Sequence, residues 1–579
     1  MTTPPAPLAA PLLAVSTGPR GVSPLSDGTP PFPGAVRRPL PGGAGEVWSA
    51  TPGPLYSLVE GAHDHDYRPM SEAELTGRIR EGRELGDLAA PFAAVLAEED
   101  GALLAAVDQL GMRHLYLAEG PGWAALSTSP TSLARLTGGG LDLDVLGAYR
   151  LIGHHLGTDT PYAGVRKIPA GHVVRLSEGR ATLTPYKSPG HPPTTDLAEA
   201  VRRAARILRD NMERLLDEHP DAVLQLSGGL DSRILLAAVP EGRRRQVRAL
   251  TLASVESRDQ ELATRIATAY RLERQVIDMD RMAGLTPARA HELVTAAALS
   301  TGGINNPVQL AVQEWAEAQA PREPRINGFG GEFSRAFYYL GQRQHPGPTP
   351  QLVDRLAEWR IFSVEYADPE MFTGDFAAET KASTMRRLRE MFAGYRTDWL
   401  SSTDEFYFHE RTQRMVGATL STACTRYTTL SPMLHPAFVE QARAMDPAVK
   451  LYSRYNAMLL DRLAPDLARI PLDTGLRPVT LFAPKPVRAA RLGLDLGLRA
   501  ARKARQRIRR SGNPGVGEPT MVALLVAHWR AEPSLLEPAL GTGLVRQEWL
   551  ARMLSGEYDP TPGTAAFLAI LCAASTALA

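Results

Sequence analysis

"VLQLSGGLDSR", residues 223–233, sets a short strand-like run against two glycines, an aspartate and two serines. A strand that ends in so much bare backbone before a helix begins is built to hold an anion. Small residues let backbone N–H groups converge. The N-terminus of the following helix, read as starting at about Arg233, adds partial positive charge. That combination suits a pyrophosphate. The turn lacks the lysine of a Walker P-loop. Asp231 repels phosphate unless a hard cation such as Mg²⁺ lies between them. A second carboxylate is then expected from another loop, and "NGFGGEF", residues 327–333, supplies Glu332. A tight turn with an N-capping serine would explain one such loop. It does not explain two, each carrying an acid.

The flanking sequence predicts where these loops sit. "DAVLQLS", "QVRALTLAS", "RQVIDMD" and "PRINGFGG" are short strand-like runs, separated by segments of helical period such as "DQELATRIATAYRL". This alternation predicts an α/β fold with a parallel, doubly wound sheet covered on both faces. Ligands of such sheets gather at the carboxyl ends of the strands, where "LSGGLDS", "LTLAS" and "NGFGGE" all fall. The amphipathic "LAEAVRRAARILRDNMERLLDEH" precedes the sheet, and from about Thr349 the chain reads as mainly helical.

Upstream the period is that of strands. Residues 46–190 form a β-rich domain, with "AGHVVRLSEGRATLTPY" a hairpin turning at "EG". Residues 1–45 are rich in proline and read as a disordered lead-in without the flanks of a signal peptide. The α/β part is expected over 195–484, a basic segment over 485–515 and helices over 516–579. Between Lys485 and Arg510 ten basic residues accompany one acid, Asp495, which suits a solvated helix face or a docking site for an acidic partner. The apolar "GTAAFLAILCAASTALA" at the C-terminus is just short of the roughly 20 residues that span a bilayer, and reads as a buried helix. A net charge of +1 gives no field to recruit nucleic acid or an anionic membrane. Two cysteines, Cys424 and Cys572, offer neither a disulfide framework nor a cysteine zinc site, so a reducing cytoplasm is expected.

"LSGGLDS" resembles the pyrophosphate-loop (PP-loop) motif of the ATP-pyrophosphatase superfamily, and its pairing with "GFGGE" resembles the synthetase domain of asparagine synthetases. "VDQLGMRHLYLAEG", "ALSTSPTSLARL" and "TPYAGVRKIPAGHVVRLSEG" resemble the N-terminal, glutaminase-type (Ntn) domain of those enzymes. "SPMLHPAFVEQARAM" and "APDLARIP" resemble their C-terminal helices. The resemblance implies adenylation of a carboxylate by ATP, release of pyrophosphate, and displacement of AMP by an amine. Carried over by position, Ser227, Gly228, Gly229, Leu230, Asp231 and Ser232 would form the phosphate turn. Asp231 and Glu332 would be the catalytic pair holding Mg²⁺, with Glu332 where the family usually has Asp. Leu226, Leu252, Asn327 and Gly328 would frame adenine and ribose. Asp259 matches an acidic position opening the next helix.

The departures narrow the function. Glutaminase domains of this family use a cysteine as first residue, whereas this chain starts "MTTPP" and has no cysteine before Cys424. Glutamine hydrolysis is not expected, which leaves the first domain a structural or substrate-recruiting role. Phe329 stands where asparagine synthetases have Glu and β-lactam synthetases a Tyr; it takes no proton, so a base must come from elsewhere, with His409, Glu410 and His435 as candidates. Leu472 occupies the place of a lysine that stabilises the adenylation transition state, with Arg477 or Lys485 as substitute cations. The reading is a glutamine-independent amide ligase, with lasso-peptide cyclases as its best-known relatives. Its partners would be ATP, Mg²⁺ and a small-molecule or peptide carboxylate. For a peptide substrate they would extend to a precursor peptide with its recognition protein or protease. An ATP-binding pseudoenzyme and an ammonia-dependent asparagine synthetase are the alternatives.

Overall fold

The computed structural model describes residues 11–579 apart from 20, 22, 26–28, 187–189, 255–256, 321, 340–341, 363–365, 473–474 and 484–514. The basic segment, Lys485 included, thus lies outside the described residues except for Gly515. Strands β1 (Leu12–Thr17), β2 (Val36–Pro39), β3 (Gly45–Ser49), β4 (Leu55–Ser57), β5 (Ala93–Ala97), β6 (Leu103–Val107), β7 (Tyr116–Gly120), β8 (Trp123–Ser127), β9 (Val165–Lys167), β10 (His172–Ser177) and β11 (Arg180–Pro185) form the N-terminal part. They make two antiparallel sheets, ordered β2-β3-β1-β8-β7-β9 and β11-β10-β6-β5-β4. The sheets face one another through Leu12, Ala14, Val95, Ala105, Leu117 and Leu126. The alternate residues point outward, as strand geometry requires. Leu104 and Ala106 pack under α1 (Glu72–Glu81), and Leu13 and Val15 under α2 (Pro130–Thr137). The result is four layers, helix–sheet–sheet–helix.

β1 corrects the expected disordered lead-in. Leu12–Val15 are fully buried, and the strand runs between β3 and β8, antiparallel to both. The domain therefore includes Leu12–Thr17, well before residue 46. Prolines flank the run "LLAVST" without interrupting it. A strand covered on both faces also loses the alternation that marks a half-buried one. β2, by contrast, is a mostly exposed edge carrying Arg37, Arg38 and Pro39, residues that discourage further pairing.

α3 (Leu143–Ile152) sends Leu146 and Tyr149 into the core of the second part, so the two parts share packing. α4 (Leu197–Glu218), capped by Asp196 at the Ala198 and Glu199 amides, leads into β12 (Val223–Gln225). With β13 (Arg248–Ala253), β14 (Glu273–Asp278), β15 (Arg325–Ile326) and β16 (Thr429–Leu430) it makes a wholly parallel sheet, ordered β14-β13-β12-β15-β16. Leu224, Ala249 and Ile326 face α4, α5 (Leu230–Ala238) and α6 (Arg258–Tyr270). Val223, Leu250 and Ile277 face α7 (Pro287–Thr301), α8 (Pro307–Glu317) and the C-terminal helix Pro562–Leu578. Both faces are covered as expected, and the terminal helix is buried. Among the described residues no helix is long and apolar enough to cross a membrane. The strand order reverses between β12 and β15, the point where a ligand crevice opens in such sheets.

Leu13 is buried among Trp48, Trp123 and Leu133. Leu13→Ala should cost roughly 2–5 kcal/mol, as for other buried leucine truncations. The measurement is a lower urea midpoint for the N-terminal part; an unchanged midpoint would mean that β1 contributes no core.

Candidate functional site

The loops after β12 and β15 are the two quoted at the outset, and they meet at the switch point. α5 starts at Leu230, three residues before the expected Arg233, because Gly229 takes the extended N-cap conformation. Asp231 and Ser232 therefore lie in the first helical turn, and no side chain caps it. Ser227 and Ser232 brace the turn: their hydroxyls are 3.2 Å apart, and Ser232 Oγ accepts from the Ser227 amide at 3.2 Å. The Gly228 N–H donates to Asp259 Oδ1 at 2.6 Å. The Asp259 carboxylate thus occupies this backbone donor. Arg233 ties the loop from beneath, donating to the carbonyls of Gly228 (2.8 Å), Ile470 (2.8 Å) and Pro471 (2.7 Å).

Asp231 and Glu332 lie on loops that approach closely. A Cβ on Gly331 would lie 2.5 Å from Asp231 Oδ1, and one on Gly328 would lie 2.8 Å from Asp231 Cβ. Gly330 has φ +103° and packs on the Met433 carbonyl. Glycine is required where loops approach this closely. Burial pushes the Glu332 carboxyl upward, and the charge of Asp231 adds to that. Burial also pushes Asp231 upward, while Arg335 and the Asn456 side chain oppose it. Arg335 pairs with Asp231 Oδ2 at 2.6 Å, and Asp231 Oδ1 is buried without a hydrogen bond of its own. Two desolvated carboxylates, one with an oxygen that lacks a hydrogen bond, are hard-oxygen donors that could hold a divalent cation if it displaced the Arg335 guanidinium from Asp231.

The other predicted contacts divide. Asn327 is buried; its Oδ1 accepts from Phe329 N–H (3.2 Å) and Ser431 Oγ (2.8 Å). Leu226 is buried in the core, with its amide on the Leu250 carbonyl, and Leu252 is half-buried at the end of β13. Leu472 adjoins Pro471, which Arg233 holds against the loop, so an apolar side chain stands near the turn. Arg477 is exposed.

The base candidates are committed elsewhere. Glu410 accepts from the Gly157 amide at 2.6 Å. His435 Nδ1 accepts from the Ala437 amide at 3.1 Å as a helix cap, and burial brings its imidazole down to about 3. His409 lies 3.3 Å from Glu405 Oε2. Two residues go beyond the sequence reading. Asn456, fully buried, donates to the Gly331 carbonyl at 3.0 Å and contacts Ser334 Oγ, locking the second loop. Tyr407 is buried near enough to Glu332 that the carboxylate charge raises its phenol further. Both come from distant helical segments, and no local motif marks them.

Compared with protein-family models and with curated proteins, the chain matches none. Geometry and chemistry therefore carry the reading of the site.

Because Glu332 sits above its ordinary value near 4.5, the folded chain binds that proton more tightly than the unfolded chain. Stability is therefore lost as pH rises from 4.5 through the raised value. Without metal or nucleotide, Glu332→Gln should unfold at higher denaturant than wild type above that window and match it below. A parallel pH dependence in the two proteins would contradict the buried-carboxylate geometry.

Proposed function

We propose that the chain is an ATP-dependent, AMP-forming carbon–nitrogen ligase that acts without hydrolysing glutamine. One observation carries this reading: two glycine-rich loops, each bearing an acid, leave adjacent parallel strands at the switch point and bring their carboxylates into one another's field. The site is asparagine-synthetase-like, and the four-layer N-terminal part is a glutaminase-like domain without its cysteine. A carboxylate from a small molecule or a peptide attacks the α-phosphorus of ATP, pyrophosphate leaves, and an amine displaces AMP.

The chain's own groups account for the binding half of this chemistry. The amides from Gly228 to Ser232 and the start of α5 receive the leaving pyrophosphate, in exchange for Asp259 at Gly228. Asp231 and Glu332 would hold Mg²⁺, which supplies charge neutralisation for that leaving group. Arg335, released from Asp231 in that state, provides a second cation at the rim. Leu472 offers no charge, so pyrophosphate departure relies on these cations in place of a lysine. Asn456 keeps the Glu332 loop at its distance.

The test is to incubate the protein with Mg·ATP and pooled carboxylates, Asp and peptides with free acidic side chains among them, and to measure AMP and pyrophosphate. Turnover with one pool, indifferent to glutamine and lost by at least a hundredfold in Asp231→Asn, is expected. Full turnover in Asp231→Asn would overturn the metal assignment, and ATP binding without turnover in any pool would favour the pseudoenzyme.

A further inference from the structure

A histidine seam joins the N-terminal sandwich to the parallel sheet on the side of β16, apart from Asp231 and Glu332. His65 and Asp66 lie on the loop before α1, His191 in the connection before α4, and His435 at the start of the helix Pro436–Ala444. One ligand atom each from His65, Asp66 and His435 falls within 4.8 Å of the others, the sole such group of three among the described residues. The His65 ring stands 4.9 Å from that of His435 and 5.8 Å from that of His191.

We infer that this seam is a binding site for a late first-row transition ion of the Zn²⁺ class. Three imidazoles and one carboxylate make a donor set for such an ion and a poor one for Mg²⁺. The ligand loop is held in advance. Asp64 Oδ1 accepts from the Asp66 and Arg68 amides, each at 2.9 Å. Tyr67 follows at φ +61°, a left-handed conformation that a non-glycine residue keeps only when its surroundings enforce it. Its hydroxyl accepts from the Ser431 amide at 3.0 Å, across the two parts. His65 Nδ1 lies 3.2 Å from the Asp87 carbonyl. A donor there leaves Nε2 as the bare nitrogen, the arrangement in which metal-bound imidazoles are usually buttressed. His191 Nδ1 lies 3.6 Å from Glu440 Oε2, a carboxylate placed for the same support.

Two features oppose loading and set its cost. Arg214 stands 3.4 Å from Asp66 Oδ1. Binding through His435 Nε2, 3.8 Å from Asp66 Oδ1, exchanges the cap bond to the Ala437 amide for a protonated Nδ1. Bonds of about 2.1 Å to a tetrahedral ion place donors roughly 3.4 Å apart, so the donors of His65, Asp66 and His435, now within 4.8 Å of one another, close in, and His191, outside that group, moves further to join as fourth ligand. The bound ion would clamp sandwich, connection and sheet together. Ser431 to His435 carries the clamp toward the rim, since Ser431 hydrogen-bonds Asn327 and Met433 underlies Gly330.

The experiment uses untagged full-length protein stripped with a chelator and titrated with Co²⁺ and Zn²⁺. One equivalent of Co²⁺ should give the intense visible d–d bands of a tetrahedral nitrogen–oxygen site, displaced by Zn²⁺, and Zn²⁺ should raise the melting temperature by several degrees. His65→Gln and Asp66→Asn, both on a partly exposed loop, should each weaken binding at least tenfold, while Asp231→Asn leaves it unchanged. Bands and melting shift that persist in both loop variants would assign the ion to surface histidines and overturn the proposal. So would absence of any Co²⁺ spectrum in the wild type. Neither readout needs ligase activity, so this site and the proposed reaction stand or fall separately.

Discussion

The rim is built on a steric constraint. The loops after β12 and β15 approach so closely that any side chain at Gly328 or Gly331 would strike Asp231. Bare backbone there lets Glu332 enter the field of Asp231 while both lose water. Arg335 opposes the upward push on both carboxyls, and Glu332 also accepts from the Gly330 amide at 2.9 Å. A fold that served stability alone would separate the acids or fill the space with apolar side chains. Instead the second loop is pinned by Asn456 and lies over Met433, holding the unfavourable arrangement in place. The cost is electrostatic, and a cation held between the two carboxyls would lower it.

A second set of buried charges fixes how the sandwich meets the sheet. Asp108 accepts from the amides of Phe92, Leu110, Met112 and Arg113, a cradle that satisfies the carboxylate entirely with backbone donors. Lys167 is buried close by, and burial together with Arg414 brings its amine down to about 7, against the pull of Asp108 and Glu410. Glu410 and Arg414 belong to a ten-residue π-helical stretch, Tyr407–Val416, and bind Gly157 and Asp159 of the sandwich. The wider helix carries more side chains past a given point than an α-helix does, and such stretches concentrate at functional sites. Here Tyr407, at one end, approaches Glu332, while the middle of the same stretch grips the first domain. Charges of this kind cost desolvation, and their return is one register of docking.

The parallel sheet was legible because its strands alternate with amphipathic helices, and the rim because glycines and acids cluster in two short motifs. β1 was not legible, since burial on both faces removes the alternation, and flanking prolines imitate a linker. Asn456 and Tyr407 were invisible for another reason. Their importance lies in contacts with residues more than 70 positions away, and neither sits in a pattern that a local reading can weigh. The seam's His65 and Asp66 stand in "HDHDY", yet their partners His191 and His435 meet them only in three dimensions.

For the proposed ligase reaction, the groups around the rim limit which of them could accept a proton. Phe329 packs as an apolar residue against the cluster of Phe333 and Phe408 and supplies no proton site. Tyr407 feels the charge of Glu332, and burial and that carboxylate both push its phenol upward, so at neutral pH it is a donor. A donor beside Glu332 suits stabilisation of developing negative charge and does not suit deprotonation of an amine. The remaining acids near the loops, Asp231 and Asp259, are engaged with Arg335 and the Gly228 amide. Under the proposed reaction, an anion at the Gly228 amide would compete with the Asp259 carboxylate for that donor.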